Sequence, residues 1–309
     1  MSKFEIAAFY RFQPVTDPAD LRTRLAAACR AAGARGILLV APEGINGTVA
    51  TSAGKLQPLM DAIRKESGFA DIDPRLSFDD EMPFLRMKVR LKKEIVTIGS
   101  DDVDPNETVG TYVPPEEWNK LISEPDVLLL DTRNDYEVRL GTFKGAMDPK
   151  THSFSEFPSF VRQTLDPKKH KRIAMFCTGG IRCEKASNVM LKEGFEEVYH
   201  LKGGILAYLE KIPPSESTWE GGCFLFDRRV ALGHGLKPEP IDLCFGCLAP
   251  LTPEDRQSKD FEDGVSCPHC APLMTPARRE AARERQRQTV LAEKRGEKHL
   301  GPRIADDAA

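Results

Sequence analysis

The sequence predicts an α/β core, a parallel sheet with helices on both faces, preceded by a ferredoxin-like α+β domain and followed by a small four-cysteine, zinc-ribbon-like segment. Three observations carry this. Between residues 115 and 212, short apolar runs that read as buried strands alternate with helical stretches. Residues 1–100 read in the order βαββαβ, that of a ferredoxin-like sandwich. Late in the chain, Cys244 and Cys247 form one Cys-x-x-Cys pair and Cys267 and Cys270 another, with nineteen residues between them.

The chain has 309 residues, enough for two domains and more, and 40% hydrophobic residues, enough for ordinary cores. A net charge of −3 gives no global attraction to nucleic acid or acidic lipid, so such a partner must be met by a local patch. There is no run of eighteen apolar residues and no secretory h-region, so the expected location is the cytoplasm, away from membranes. Eight cysteines, four of them in the two pairs, argue for reduced thiols and metal rather than a disulfide scaffold.

Taken in order, residues 4–12 are strand-like. Asp17-Pro18 opens a helix through Leu21, Leu25, Ala28 and Cys29, in which Cys29 falls on the core stripe. Strands at 36–40 and 48–50 flank the turn Pro42-Glu43-Gly44-Ile45-Asn46-Gly47; a helix follows near 55–66, and residues 75–79 and 84–98 supply further strands. In the last of these, Arg86, Lys88, Arg90 and Lys92 alternate with Met87, Val89 and Leu91, which puts four cations on one face of a strand. That face reads equally as a phosphate-binding stripe or as a merely solvated one. Residues 101–114 read as an acidic, Pro-rich linker. In the core that follows, 115–122 is helical and 127–131 is a buried strand ending on Asp131. A helix lies near 157–165, then a strand at 173–176, a helix at 183–193, a strand at 197–201 and a last helix to about 211. Residues 213–275 hold the cysteine pairs, and 276–309 is a charged tail, helical and solvated or disordered.

The stretch 173–188 organises the reading. A buried strand ends on Cys177, and the turn that follows contains Gly179, Gly180 and Arg182 before the helix begins. Glycines let several backbone N–H groups converge on one atom, and a helix N-terminus and a guanidinium both favour a thiolate. Cys177 therefore reads as an activated nucleophile, against the bland alternative of an inert core cysteine. Asp131 and Arg133 end a neighbouring strand at the edge where parallel sheets bind ligands, and read as supporting residues. Thr178, Gly179, Gly180 and Ile181 complete the loop. Cys183 either resolves an oxidised Cys177 or simply starts the helix. Full ligation of Zn²⁺ by Cys244, Cys247, Cys267 and Cys270 would leave no open position, so the expected metal is structural; His269 is a spare ligand. No Rossmann fingerprint or iron triad is present, so no flavin, nicotinamide or iron site is expected.

Cys-x4-Arg between strand and helix resembles the active-site loop of the rhodanese (sulfurtransferase) family, as does Asp131-Thr-Arg-Asn-Asp-Tyr-Glu137 with Gly141-Thr-Phe-Lys-Gly-Ala146. The resemblance covers about 115–212 and implies a rhodanese domain with Cys177 as its active-site cysteine. Over nearly the whole chain, the strings Glu43-Gly-Ile-Asn-Gly-Thr48, Phe84 to Val96, Cys177-Thr-Gly-Gly-Ile-Arg-Cys-Glu-Lys-Ala186 and the late cysteine pairs occur in an order similar to that of the oxygen-dependent tRNA uridine hydroxylase family. That resemblance implies hydroxylation of the wobble uridine of tRNA at C5, to 5-hydroxyuridine, with O₂ as co-substrate and Cys177 in the active site. The anticodon stem-loop would then be the partner. On this reading Cys177 attacks, Arg182 and the loop amides stabilise an enolate, and Arg86, Lys88, Arg90 and Lys92 grip phosphates. A persulfide-carrying sulfurtransferase is the alternative.

Overall fold

In a computed structural model, residues 2–100 and 102–296 are described. The chain divides into two units, one of residues 1–228 with 232–237, the other of 229–231 with the chain from 238 on.

The first unit contains two sheets. The first runs β1 (Phe4–Phe12), α1 (Pro18–Ala31), β2 (Arg35–Ala41), β3 (Gly44–Ser52), α2 (Leu56–Ser67), β4 (Arg75–Asp79) and β5 (Met87–Leu91). Strand order is β4-β1-β3-β2-β5, with β4, β1, β3 and β2 antiparallel in turn. This is the ferredoxin-like order with a fifth strand, β5, added parallel to β2. Asp17 caps α1 by accepting from the N–H groups of Ala19 and Asp20. Leu21, Leu25 and Cys29 from α1 and Leu56, Leu59, Met60 and Ile63 from α2 pack on Ala7, Phe9, Leu38, Val40 and Val49. Cys29 is thus structural, and burial pushes its thiol up to about 12.

The basic strand is shorter than the reading of 84–98. Met87 and Val89 join the core, but Leu91 is 52% exposed, because only β2 flanks this edge strand and the chain turns away after it. Arg86, Arg90 and Lys92 are exposed and Lys88 is half-buried.

The second sheet is wholly parallel, in the order β6 (Thr111–Val113), β10 (Glu197–Leu201), β9 (Arg172–Phe176), β7 (Val127–Asp131). Its two faces are covered differently. Ala174 and Phe176 of β9 meet α3 (Pro115–Ile122) and α7 (Gly204–Lys211) through Trp118, Ile205, Tyr208 and Leu209. Ile173 and Met175 meet α5 (Phe157–Thr164) and α6 (Ile181–Lys192) through Phe157, Val161, Ala186, Val189 and Met190. Period-2 alternation with both faces apolar is the signature of a buried parallel strand.

Two boundaries differ from the sequence reading. The expected linker 101–114 carries β6 at its end, and residues before it are bound to α6: Asn188 donates to the carbonyls of Asp104 and Thr108 (3.0 and 2.9 Å) and Ser187 accepts from Gly110 N–H (2.9 Å). A Cβ at Gly110 would lie 2.6 Å from the Val198 carbonyl, so only glycine lets the chain approach the sheet there. Polar composition suggested a free tether because the partners are far away in sequence. Likewise residues 213–228 and 232–236 go with the second sheet rather than with the cysteine segment. β8 (Gly141–Phe143) pairs with β11 (Trp219–Gly221), and Phe143 makes edge-on contacts with Phe176, Tyr208 and Trp219 at 4.8, 4.8 and 5.1 Å.

Lys185 on α6, 1% exposed, pairs with Glu43 (2.8 Å) and Glu94 (2.6 Å), the first from the β2–β3 turn and the second from the chain after β5. It ties the second sheet to the first. Arg75 of β4 also pairs with Glu210 of α7.

In the second unit, Thr252 caps α8 (Pro253–Gln257) and Thr275 caps α9 (Pro276–Lys294). The charged tail is therefore helical to Lys294, with Arg279 and Arg283 paired to Glu262; Lys298 and the rest of the expected tail lie outside the described residues. No helix among the described residues is long and apolar enough to cross a membrane.

Candidate active site

Cys177 stands at the C-terminal end of β9, and α6 starts at Ile181, earlier than the expected 183. The earlier start matters, because the first N–H groups of a helix have no intrahelical partner. Gly180 N–H donates to the Cys177 sulfur at 3.1 Å, and the N–H groups of Arg182 and Cys183 lie near enough to lower its pKa, the latter while bonded to the Gly180 carbonyl at 3.0 Å. Gly180 has φ +99°, a left-handed conformation that turns its N–H back onto the sulfur. The cradle has a second wall. Ile205 and Leu206, at the start of α7, donate to the carbonyls of Cys177 and Thr178 (2.9 and 3.1 Å). A Cβ on Gly204 would lie 2.5 Å from the Cys177 carbonyl, so this approach also requires glycine.

Arg182 is held by a carboxylate the sequence analysis left out of the site. Its guanidinium makes a two-pronged pair with Glu137 (2.6 and 2.8 Å), and a third bond runs to Thr178 Oγ1 at 3.2 Å. Glu137 is fully buried at the first turn of α4 (Asp135–Val138), where Asn134 and Glu137 form a capping box. Deleting one partner of such a buried pair costs about 3–5 kcal/mol. Behind it, Arg133 pairs with Asp131 (2.6 Å), donates to the Gly141 carbonyl (2.6 Å) and stacks on Trp219 at 5.1 Å. Asp131 also accepts from Thr142 at 2.9 Å. Asp131 and Arg133 thus stand one layer back from the sulfur. Glu137 and Arg182 separate them from it.

The electrostatics follow. Burial raises the Cys177 thiol, but a hydrogen bond from the Cys183 thiol, the Arg182 charge and the N–H groups of Cys183 and Arg182 outweigh it, leaving it well below the usual thiol range. Cys183, buried and facing that negative sulfur, is raised, so the shared proton sits on Cys183. Its sulfur also lies 3.6 Å from Thr132 Oγ1. Burial raises Glu137 too, but the Arg182 charge and hydrogen bonds prevail and its carboxyl is held low. Cys223 is fully buried and pushed up to about 12.

The remaining loop residues divide by exposure. Thr178, Gly179 and Ile181 are half-buried; Ile181 packs with Tyr10, Phe12, Ile95 and Val96 of the first sheet and its flanks. Tyr10 itself was missed by sequence reasoning. Its hydroxyl lies 3.0 Å from where a Gly180 Cβ would stand and donates to Glu184 at 2.7 Å. No signal in the sequence pairs a residue near position 10 with one near 180. The stripe Arg86, Lys88, Arg90 and Lys92 stays on edge strand β5 and its flanks and is not part of this cradle.

In the second unit the sulfurs of Cys244, Cys247, Cys267 and Cys270 lie within 4.8 Å of one another. Three pairs are 3.8, 3.7 and 3.9 Å apart. A tetrahedron with Zn–S of about 2.3 Å has edges of about 3.8 Å, so the donor set fits zinc. His269 pairs with Asp255 at 3.0 Å and is not in the cluster.

Because the Cys177 pKa is lowered, its thiolate should persist at neutral pH and be lost only in acid. The ultraviolet thiolate absorbance of wild type minus Cys177→Ser, titrated from pH 4 to 10, is expected to be fully developed below pH 8; a difference that grows only above pH 8.5 contradicts this geometry.

Two family models match the chain. Residues 4–95 match the UPF0176 acylphosphatase like domain, and residues 114–211 match the Rhodanese-like domain. A tRNA uridine(34) hydroxylase of Acaryochloris marina (strain MBIC 11017) is 49% identical over 305 residues, 99% of this chain and 98% of that one. Another of the same name, from Teredinibacter turnerae (strain ATCC 39867 / T7901), is 50% identical over 303 residues, covering 98% of this chain and 94% of that one. Among solved structures, a rhodanese-like domain from Anabaena sp. aligns at 23% identity and a TM-score of 0.30, over 37% of this chain and 80% of that one. Near-50% identity over almost the full length of both chains decides the matter: this chain belongs to the tRNA uridine(34) hydroxylase family.

Proposed function

We propose that this protein hydroxylates uridine 34, the wobble uridine, of tRNA at C5, with O₂ as co-substrate and Cys177 as the nucleophile. Family membership supports the substrate and the reaction class. The observation that carries the nucleophile is the sulfur held between Gly180 N–H and the first turn of α6, ionised beside Arg182. A thiolate adding to uracil C6 turns C5 into an enolate carbon, and that carbon is the one to be oxidised. Arg182, both of whose terminal nitrogens are engaged by Glu137, acts on the sulfur through its charge. Loop N–H groups remain the donors for the enolate oxygen. Cys183, whose thiol hydrogen-bonds to Cys177, keeps the proton and is placed to resolve an oxidised Cys177. Cys177 is fully buried, so a splayed anticodon base reaches it only once side chains over the loop turn aside.

The anticodon stem-loop is the proposed partner, since its wobble base is single-stranded and free to leave the stack. Arg86, Lys88, Arg90 and Lys92 are proposed to meet its phosphates, and the cytoplasm, where tRNA is found, is the proposed location. Asp131 and Arg133 support the loop from behind. The four-cysteine cluster is proposed to hold a structural Zn²⁺, which would tie the second unit together and take no part in chemistry. One observation favours a second reading, a persulfide carrier. The loop from Cys177 to Arg182 is only six residues long, a size suited to one extra sulfur.

Three outcomes test these assignments. In cells lacking the endogenous gene, the wild-type chain should restore 5-hydroxyuridine in tRNA nucleosides measured by mass spectrometry, and Cys177→Ser should not. Retained hydroxylation in the serine variant removes the nucleophile, and restoration of a thiolated base instead selects the persulfide reading. Replacing Arg86, Lys88 and Arg90 together by Ala should weaken tRNA binding and reduce the slope of log K against log salt by about 2; an unchanged slope rejects the stripe as a phosphate contact. Purified protein should contain one zinc per chain by elemental analysis, lost in Cys267→Ser, and a metal-free folded wild type would disprove the site.

A further inference from the structure

Beside the thiolate lies a buried group that the hydroxylation chemistry above does not use. Glu184, in the first turn of α6, is 9% exposed. The buried carboxylates around the loop differ in their partners. Asp131 is committed to Arg133 and Glu137 to Arg182, whereas Glu184 accepts a hydrogen bond from Tyr10 and has Tyr112 close enough to lower its pKa. Tyr10 comes from β1 and donates at 2.7 Å; Tyr112 comes from β6 and stacks on the buried His200 at 4.2 Å, whose Nε2 faces the Gly110 carbonyl at 3.2 Å. The carboxylate is therefore approached by tyrosines from two separate elements, β1 and β6, and makes no ion pair with either.

Its place relative to the sulfur is set by a short chain of contacts. Gly180 N–H is 3.1 Å from Cys177 Sγ, Tyr10 Oη is 3.0 Å from where a Gly180 Cβ would stand, and Glu184 is 2.7 Å from Tyr10 Oη. A base bonded to Cys177 through C6 carries C5 one bond further from the sulfur, and Tyr10 is the side chain that stands over the loop there.

We propose that Glu184 accepts the C5 proton in the step that releases the product, and that Tyr10 and Tyr112 are positioning residues for it. The inference rests on the hydroxylation reading with Cys177 as nucleophile. After C5 has gained its hydroxyl, the ring is still saturated at C5–C6 and bonded to Cys177 at C6. Release is a redox-neutral elimination. The C5–H bond breaks and its proton goes to a Glu184 carboxylate oxygen. The electron pair forms the C5=C6 double bond, and the C6–S bond breaks with its pair returning to Cys177 as thiolate. Loss of the Glu184 proton to solvent then restores the starting state. The sulfur is a good leaving group for the reason it is a good nucleophile: the same N–H groups and Arg182 stabilise its charge.

The groups facing Glu184 suit this task. Burial raises its carboxyl, Tyr10, Tyr112 and the nearby charge of Arg11 pull it back, and the Cys177 charge raises it further. The net shift is upward, towards the range in which a carboxylate is an effective base near neutral pH.

The test uses the full chain and unmodified tRNA in an extract of cells lacking the gene, which supplies the reductant. Glu184→Gln should lower 5-hydroxyuridine formation by about a hundredfold. It should also accumulate a protein–tRNA adduct on a denaturing gel that disappears when Cys177→Ser is added. Glu184→Asp should recover part of the release. Tyr10→Phe removes a donor that favours the carboxylate, so the acid limb of its pH–rate profile should move to higher pH. A folded Glu184→Gln that makes product at the wild-type rate, or loses product without forming the adduct, overturns the proposal. Should that variant not fold, Tyr10→Phe decides, and an unmoved acid limb overturns it. If the wild type itself forms no 5-hydroxyuridine, it is the hydroxylation reading that has failed.

Discussion

The pairing of Arg182 with Glu137 is the interaction on which the site depends. A guanidinium near a sulfur lowers its pKa only if it stays near it, and a buried guanidinium stays charged only with a counter-charge to hold it. Glu137 meets both needs with two bonds at 2.6 and 2.8 Å, and is fixed in turn by the cap of α4. Behind it Arg133 and Asp131 repeat the arrangement, so charges alternate in sign inward from the sulfur: Cys177, Arg182, Glu137, Arg133, Asp131. Each member has an opposite charge beside it. That is how several ionised groups tolerate an interior in which a lone charge would lose its proton or gain one.

Backbone geometry supplies what side chains do not. Gly180 N–H donates to the Cys177 sulfur, and the first turn of α6 lies against it, because α6 begins directly after the left-handed Gly180. Meanwhile α7 binds the loop's own carbonyls and keeps them from turning inward. The two glycine pairs, Gly179-Gly180 and Gly203-Gly204, sit at equivalent strand-to-helix junctions of neighbouring parallel strands. At these junctions helix N-termini collect and negative charge is favoured.

Around this cradle the first sheet acts as a wall. Lys185 draws Glu43 and Glu94 onto α6, and Ile181 packs among Tyr10, Phe12, Ile95 and Val96, so the elements that bring Tyr10 over the loop are held by both charge and apolar contact. The strand carrying the basic stripe leads directly into this same segment, which links the proposed phosphate-binding edge to the site through a short stretch of chain.

Much of this was legible in the sequence. The period of the apolar residues gave both sheets and most helices, since a buried strand and an amphipathic helix must each place apolar side chains at fixed intervals. Cys177, Gly180 and Arg182 stood out because a turn of that length with that composition has few uses besides cradling charge, and the cysteine spacing announced a four-sulfur cluster. What only the tertiary structure decided were the partners from afar: Glu137 on Arg182, Tyr10 and Tyr112 on Glu184, Glu43 and Glu94 on Lys185, and the docking of residues 104–113, 213–228 and 232–236 onto the second sheet. Local pattern reports what a residue does within its own element. A buried charge is satisfied by whichever element the fold brings alongside, and sequence separation carries no record of that.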